Sequence, residues 1–125
     1  YGSEVENILH AASLLTQKGI AVDVIKLLQI HPLPTAFLES LRTYNTILFA
    51  EECIQNGGIG EHTAMALYTN GWRGEWVGVS VPNVGIPHGS VEEIKKVLGL
   101  DGESLSNMVL QRCGNSYNIQ QTGKE

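Results

Sequence analysis

Apolar residues open the chain at helical spacing: Val5, Ile8, Leu9, Ala12 and Leu15 share one face. Ser3 followed by Glu6 has the form of a capping box at the start of that helix, and Gly19 offers a left-handed stop at its end. The period then changes. Ile20, Val22 and Val24 alternate with Ala21 and Asp23 and lead into Ile25 and Leu27, which predicts a strand ending before a loop at His31-Pro32. A short helix is expected from Pro34 or Thr35, with Phe37, Leu38 and Leu41 on one face and an end near Thr43 to Asn45. Thr46 to Ala50 is apolar without alternation, as expected of a core strand covered on both faces, and Glu51-Glu52 is expected to close it.

The second half repeats the alternation. Gly57-Gly58-Ile59-Gly60 is expected to open a helix with Gly60, Ala64, Leu67 and Tyr68 in a stripe and Gly71 as its stop. Trp76 to Val81 reads as a strand ended by Pro82. Ser90 with Glu93 forms a second capping box, for a helix carrying Val91, Ile94 and Leu98 and stopped by Gly99. Asp101 is the N-cap of a last helix, with Leu100 stapled onto Leu105 and with Met108 and Val109 buried. The pattern predicts an α/β fold: a three-layer domain with a mostly parallel, mixed sheet flanked by helices. No strand signal precedes the first helix, so the first strand is expected to be truncated or missing, ending at Tyr1-Gly2. A sheet lacking it exposes an unpaired ladder unless another segment covers the gap. The domain is expected over residues 1–114, with 115–125 a polar, disordered tail.

With 125 residues, 42% hydrophobic and 17% charged, the chain is one globular domain rather than a disordered tail or fibre. A formal charge of −5 argues against nucleic acid and against an anionic membrane as partner. No apolar run is long enough to span a bilayer, and a soluble, cytoplasmic protein is expected. Cys53 and Cys113 are too few and too far apart for a disulfide scaffold or a zinc ribbon, and two reduced thiols are expected.

Ligands of open α/β sheets gather beyond the carboxyl ends of the strands, where Glu51, Glu52 and the Gly57, Gly58, Gly60 loop fall. That loop is neither a P-loop nor a dinucleotide fingerprint, and its neighbouring carboxylates would repel phosphate. A tight turn and interface loop is therefore favoured over an anion site. Adjacent Glu51 and Glu52 should point to opposite faces of a strand rather than share a substrate, with one capping or salt-bridging a neighbouring helix. His62 and His88 lack a partner at metal-ligand spacing. No nucleophile with its base can be named, and no catalytic, cofactor or metal residue is assigned.

The run Leu48-Phe49-Ala50-Glu51-Glu52-Cys53-Ile54-Gln55-Asn56-Gly57-Gly58-Ile59-Gly60 resembles the strand, Glu-Glu pair and Gly-Gly-x-Gly turn of the transketolase family's C-terminal domain. Residues Ala11 to Pro34 resemble the family's helix, Gly-Ile-x-Val-x-Val-Ile and Pro-Leu run. His88-Gly89-Ser90 and Gly99-Leu100-Asp101 are similar to the end of its deoxyxylulose-phosphate synthase branch. Pro82-Asn83-Val84-Gly85 departs from that branch's Pro-Asp-x-Phe, leaving open a transketolase-like or split subunit and a pyruvate dehydrogenase E1 beta domain. The resemblance implies a thiamine-diphosphate and magnesium-dependent transferase of a two-carbon unit. It also implies that the cofactor lies between two preceding catalytic domains of a homodimer, with this domain supplying little or no chemistry. A regulatory anion-binding module is the alternative.

Overall fold

In the computed structural model, the backbone is described for residues 1–121 and side chains for residues 1–113. The elements in order are α1 (Glu4–Gln17), α2 (Thr35–Leu41), β1 (Thr46–Ile54), α3 (Ile59–Thr69), β2 (Glu75–Val81), α4 (Val91–Leu98) and α5 (Gly102–Gln121). β1 and β2 pair in parallel, from Thr46 opposite Glu75 to Ala50 opposite Val79. This is an α/β fold with helices on both faces of the sheet. On one face Ala50, Val77 and Val79 pack with Ala11 of α1 and with Leu100 and Leu105, while on the other Ile47 packs with Leu41, Leu67 and Trp72. Burying a leucine the size of Leu67, Leu100 or Leu105, all almost fully enclosed, contributes about 2 kcal/mol each.

The helix boundaries follow their predicted signals. Gly19, Gly71 and Gly99 take positive φ at helix ends. Ser90 and Glu93 form the reciprocal capping box, and the Ser104 amide donates to Asp101 Oδ1 at 3.1 Å. Leu100 and Leu105 enter the same cluster.

Several expectations are corrected. Ser3 forms no side-chain cap on α1, and the buried face of that helix is Glu4, Ala11 and Leu15, with Leu9 exposed. Glu4 is held inward by an ion pair to the distant Lys95, a partner outside the helix's own apolar pattern. Likewise α3 buries Gly60, Thr63 and Leu67 rather than Ala64 and Tyr68, because the Thr63 hydroxyl is satisfied by the Ile59 carbonyl at 2.7 Å. Val91 of α4 is exposed. α2 ends at Leu41, and β1 continues through Glu51 and Glu52 to Ile54 with a register shift after Ala50. α5 runs from Gly102 to Gln121, and residues 115–121 contain no proline to end it. The remainder of the expected tail, 122–125, lies outside the described residues.

The largest departure is at residues 20–27, which form no strand. Their alternation is that of a strand, but they have no ladder partner. A cleft of about 350 Å³ separates Ile20 to Val24 from Tyr44 to Leu48, and one of about 130 Å³ separates Asp23, Ile25 and Leu27 from Thr46 to Ala50. Helices border this gap on both faces, with Ala11, Leu15 and Leu105 on one side and Phe37 and Leu41 on the other.

Candidate functional site at the carboxyl end of the sheet

The irregular end of β1 presents its residues alternately to the two faces. Glu51 faces α3 and is 3% exposed. Its Oε1 accepts from the Gly60 amide at 2.9 Å, and its Oε2 accepts from the Ile59 amide at 3.0 Å and the Tyr1 hydroxyl at 3.1 Å. The carboxylate thus occupies the amides at the start of α3, where helix dipole and unpaired N–H groups favour negative charge. Glu61 takes the Gly57 amide at 2.5 Å. The Tyr1 hydroxyl also lies 3.1 Å from Cys53 Sγ. Burial, followed by the Cys53 and Glu51 groups beside it, pushes the Tyr1 phenol above its ordinary value, so it remains a donor.

The three glycines of this loop have different reasons to be glycine. Gly57 has φ +84°, a left-handed conformation. Gly58, the N-cap of α3, has an ordinary φ of −70°, but a Cβ there would collide with the Glu51 carboxylate. At Gly60 a Cβ would lie 2.9 Å from both Glu51 Oε1 and Phe49 Cδ1.

Glu52 faces the other layer, half exposed, and pairs with Lys95. Lys95 Nζ also reaches Glu4 Oε1 at 2.8 Å, and the Glu4 side chain is fully enclosed. One lysine of α4 thereby holds the start of α1 and the end of β1. Burial raises the Glu4 carboxyl above its usual value despite the ammonium beside it, whereas the bond from Lys95 holds Glu52 below its usual value. Sequence reasoning missed this cluster, since Glu4 and Lys95 are ninety-one positions apart in the chain and no local pattern links them. Tyr1 was missed for the same reason.

His62 and His88 are exposed. The loop glycines and Glu51 are thus brought together, Glu52 is directed to the opposite face, and no bond of either histidine joins them to the cluster. Among the described residues no group of three or more His, Cys, Asp or Glu side chains could hold a metal ion, and Cys53 and Cys113 are free thiols. No helix is long and apolar enough to cross a membrane among the described residues.

Layers of helix on both sides of a parallel sheet define a three-layer α/β domain. The profile of the transketolase C-terminal domain matches residues 1–105, and the chain belongs to that family. It is 39% identical over 90 residues to the 1-deoxy-D-xylulose-5-phosphate synthase of Thermotoga petrophila, covering 71% of this chain and 15% of that protein. It is 29% identical over 115 residues to the protein of that name from Lachnoclostridium phytofermentans, covering 90% of this chain and 18% of the relative. A third such synthase, from Chlamydia trachomatis, is 29% identical over 97 residues, covering 77% of this chain and 15% of its own length. The chain therefore spans less than a fifth of the length of these relatives.

Proposed function

We propose that this chain is the C-terminal packing and assembly domain of a cytoplasmic, homodimeric transferase of the 1-deoxy-D-xylulose-5-phosphate synthase type. That enzyme condenses pyruvate with glyceraldehyde 3-phosphate for isoprenoid precursor synthesis, using thiamine diphosphate and magnesium held by the preceding catalytic domains. The domain is inactive alone. The observation that carries this reading is the internal use of the acids around the end of β1 and the start of α3: Glu51 by the α3 amides, Glu61 by Gly57, and Glu52 and Glu4 by Lys95.

Those residues do not fit the cofactor. A diphosphate entering the loop would have to displace the Glu51 and Glu61 carboxylates from the amides it needs, against their charge. The gap between residues 20–27 and β1 supports an assembly role. A strand leading into Tyr1 would lie there, hydrogen-bonded to both neighbours and covered by helices on both faces. The exposed apolar residues Val84 and Ile86, beyond β2, and Ile54 at the end of β1 supply surface for the catalytic domains.

Calorimetric titration of the 125-residue protein with thiamine diphosphate and magnesium tests the reading. No heat of binding is expected; saturable binding in the micromolar range would overturn it.

A further inference from the structure

The opposite end of the sheet is different in charge. Of the three arginines in the sequence, Arg42 and Arg73 line a bowl of about 560 Å³ where β1 and β2 begin, and Arg112 pairs with Glu75 in its wall. Arg42 and Arg73 line it from the loops entering the two strands. The carboxylate in its wall, Glu75, is engaged by Arg112 Nη1 at 2.6 Å. Two guanidinium charges are therefore left over on a molecule whose net charge is −5.

The frame between them is fixed. The Glu75 amide donates to the Asn45 carbonyl at 2.8 Å, and the indole N–H of buried Trp72 donates to the Tyr44 carbonyl at 2.8 Å. Gly74 packs so closely that a Cβ would stand 2.5 Å from the Asn45 carbonyl oxygen. Arg73 Nη1 is tied to the carbonyls of Tyr68 at 3.0 Å and Trp72 at 2.8 Å, which sets the plane of its guanidinium and leaves its other nitrogens unused. The exposed Arg42 side chain makes no hydrogen bond or ion pair among the described residues, nor do the amides of Arg73 and Gly74 make a hydrogen bond. Taken singly, Arg42 and Arg73 serve helix ends, Arg42 at the C-cap of α2 and Arg73 on the Tyr68 carbonyl in the last turn of α3. Taken together they form a forked, partly pre-organised pair of donors, the geometry suited to a tetrahedral oxyanion.

We infer that this bowl binds a phosphate group, either as inorganic phosphate or as a small phosphomonoester. Amide NMR of the 125-residue protein, titrated with inorganic phosphate and with glycerol phosphate against sodium chloride at matched ionic strength, tests it. Saturable shifts at Asn45, Arg73 and Gly74 are expected with both phosphates, at millimolar midpoints, and not with chloride. Binding of inorganic phosphate alone would restrict the site to the free anion, and so overturn the phosphomonoester half of the assignment. Arg42→Gln, a change at an exposed side chain that leaves the fold intact, should weaken the midpoint at least tenfold. Equal shifts with chloride, an unchanged midpoint in Arg42→Gln, or shifts centred on the Gly57 to Gly60 loop would overturn the inference.

Discussion

Two adjacent glutamates at the end of β1 have opposite surroundings. Glu51, on the α3 face, is enclosed without a cation and is satisfied by backbone amides and a phenol. Glu52, on the α1 and α4 face, is half exposed and shares a lysine with the buried Glu4. On one face negative charge is held by the N-terminus of a helix, whose donors are fixed by the fold. On the other it is held by a single flexible side chain from a distant element. The first arrangement is local and tolerant of its surroundings; the second joins three elements and fails if one group is lost.

Removing the lysine should have the largest effect. Lys95→Met leaves Glu4 enclosed without its counter-charge, and urea unfolding at neutral pH should show a loss of about 3 kcal/mol. A change under about 0.5 kcal/mol, the level of an ordinary surface substitution, would place the cluster with the weak exposed pairs and remove the contrast. Glu51→Ala should cost less, about 2 kcal/mol, because water can reach the freed amides at a helix start. Its partner substitution sharpens the point: Gly58→Ala should destabilise the native protein yet cost little further in the Glu51→Ala background, since the three nearest atoms a Cβ would meet all belong to Glu51. Additive losses in that double-mutant cycle would contradict the geometry.

The smallest effect concerns protons. Glu4 has a carboxyl raised above its ordinary 4.5, so its stabilising contribution is complete below that value and is lost as pH rises through the raised one. Glu52, held low by Lys95, has the opposite sign: its contribution is present above 4.5 and is lost as pH falls below it. Glu4→Gln should therefore change stability at neutral pH by under about 1 kcal/mol, while removing the decline that begins above 4.5 in the native protein. Parallel stability curves for the two proteins between pH 4 and 7 would show that Glu4 does not titrate as a buried acid.

The contrast also explains what could be read from the sequence. Features set by a few neighbouring residues were legible: the Ser90 and Glu93 box, the Asp101 cap, the glycine stops, and the strands at Thr46 and Trp76. Opposite orientation of Glu51 and Glu52 followed from the two-residue period of a strand. What was not legible depends on distant partners. The inward turn of Glu4 is set by Lys95, and the unpaired state of residues 20–27 is set by the lack of a neighbouring strand, although their local pattern is that of a strand. The arginine bowl combines residues from separate loops, none of which forms a motif by itself.

The Gly-Gly-x-Gly turn looks like one signature, yet its letters answer to different masters. Gly57 is held by the bend of the main chain and Gly60 by the Phe49 ring as well as by the acid, but the nearest obstacle to a side chain at Gly58 is Glu51. A descendant that shed the acid would lose the closest obstacle at position 58 while the constraints of the main chain at 57 and of the Phe49 ring at 60 stayed put, which ties Gly58 to Glu51 more closely than its two neighbours.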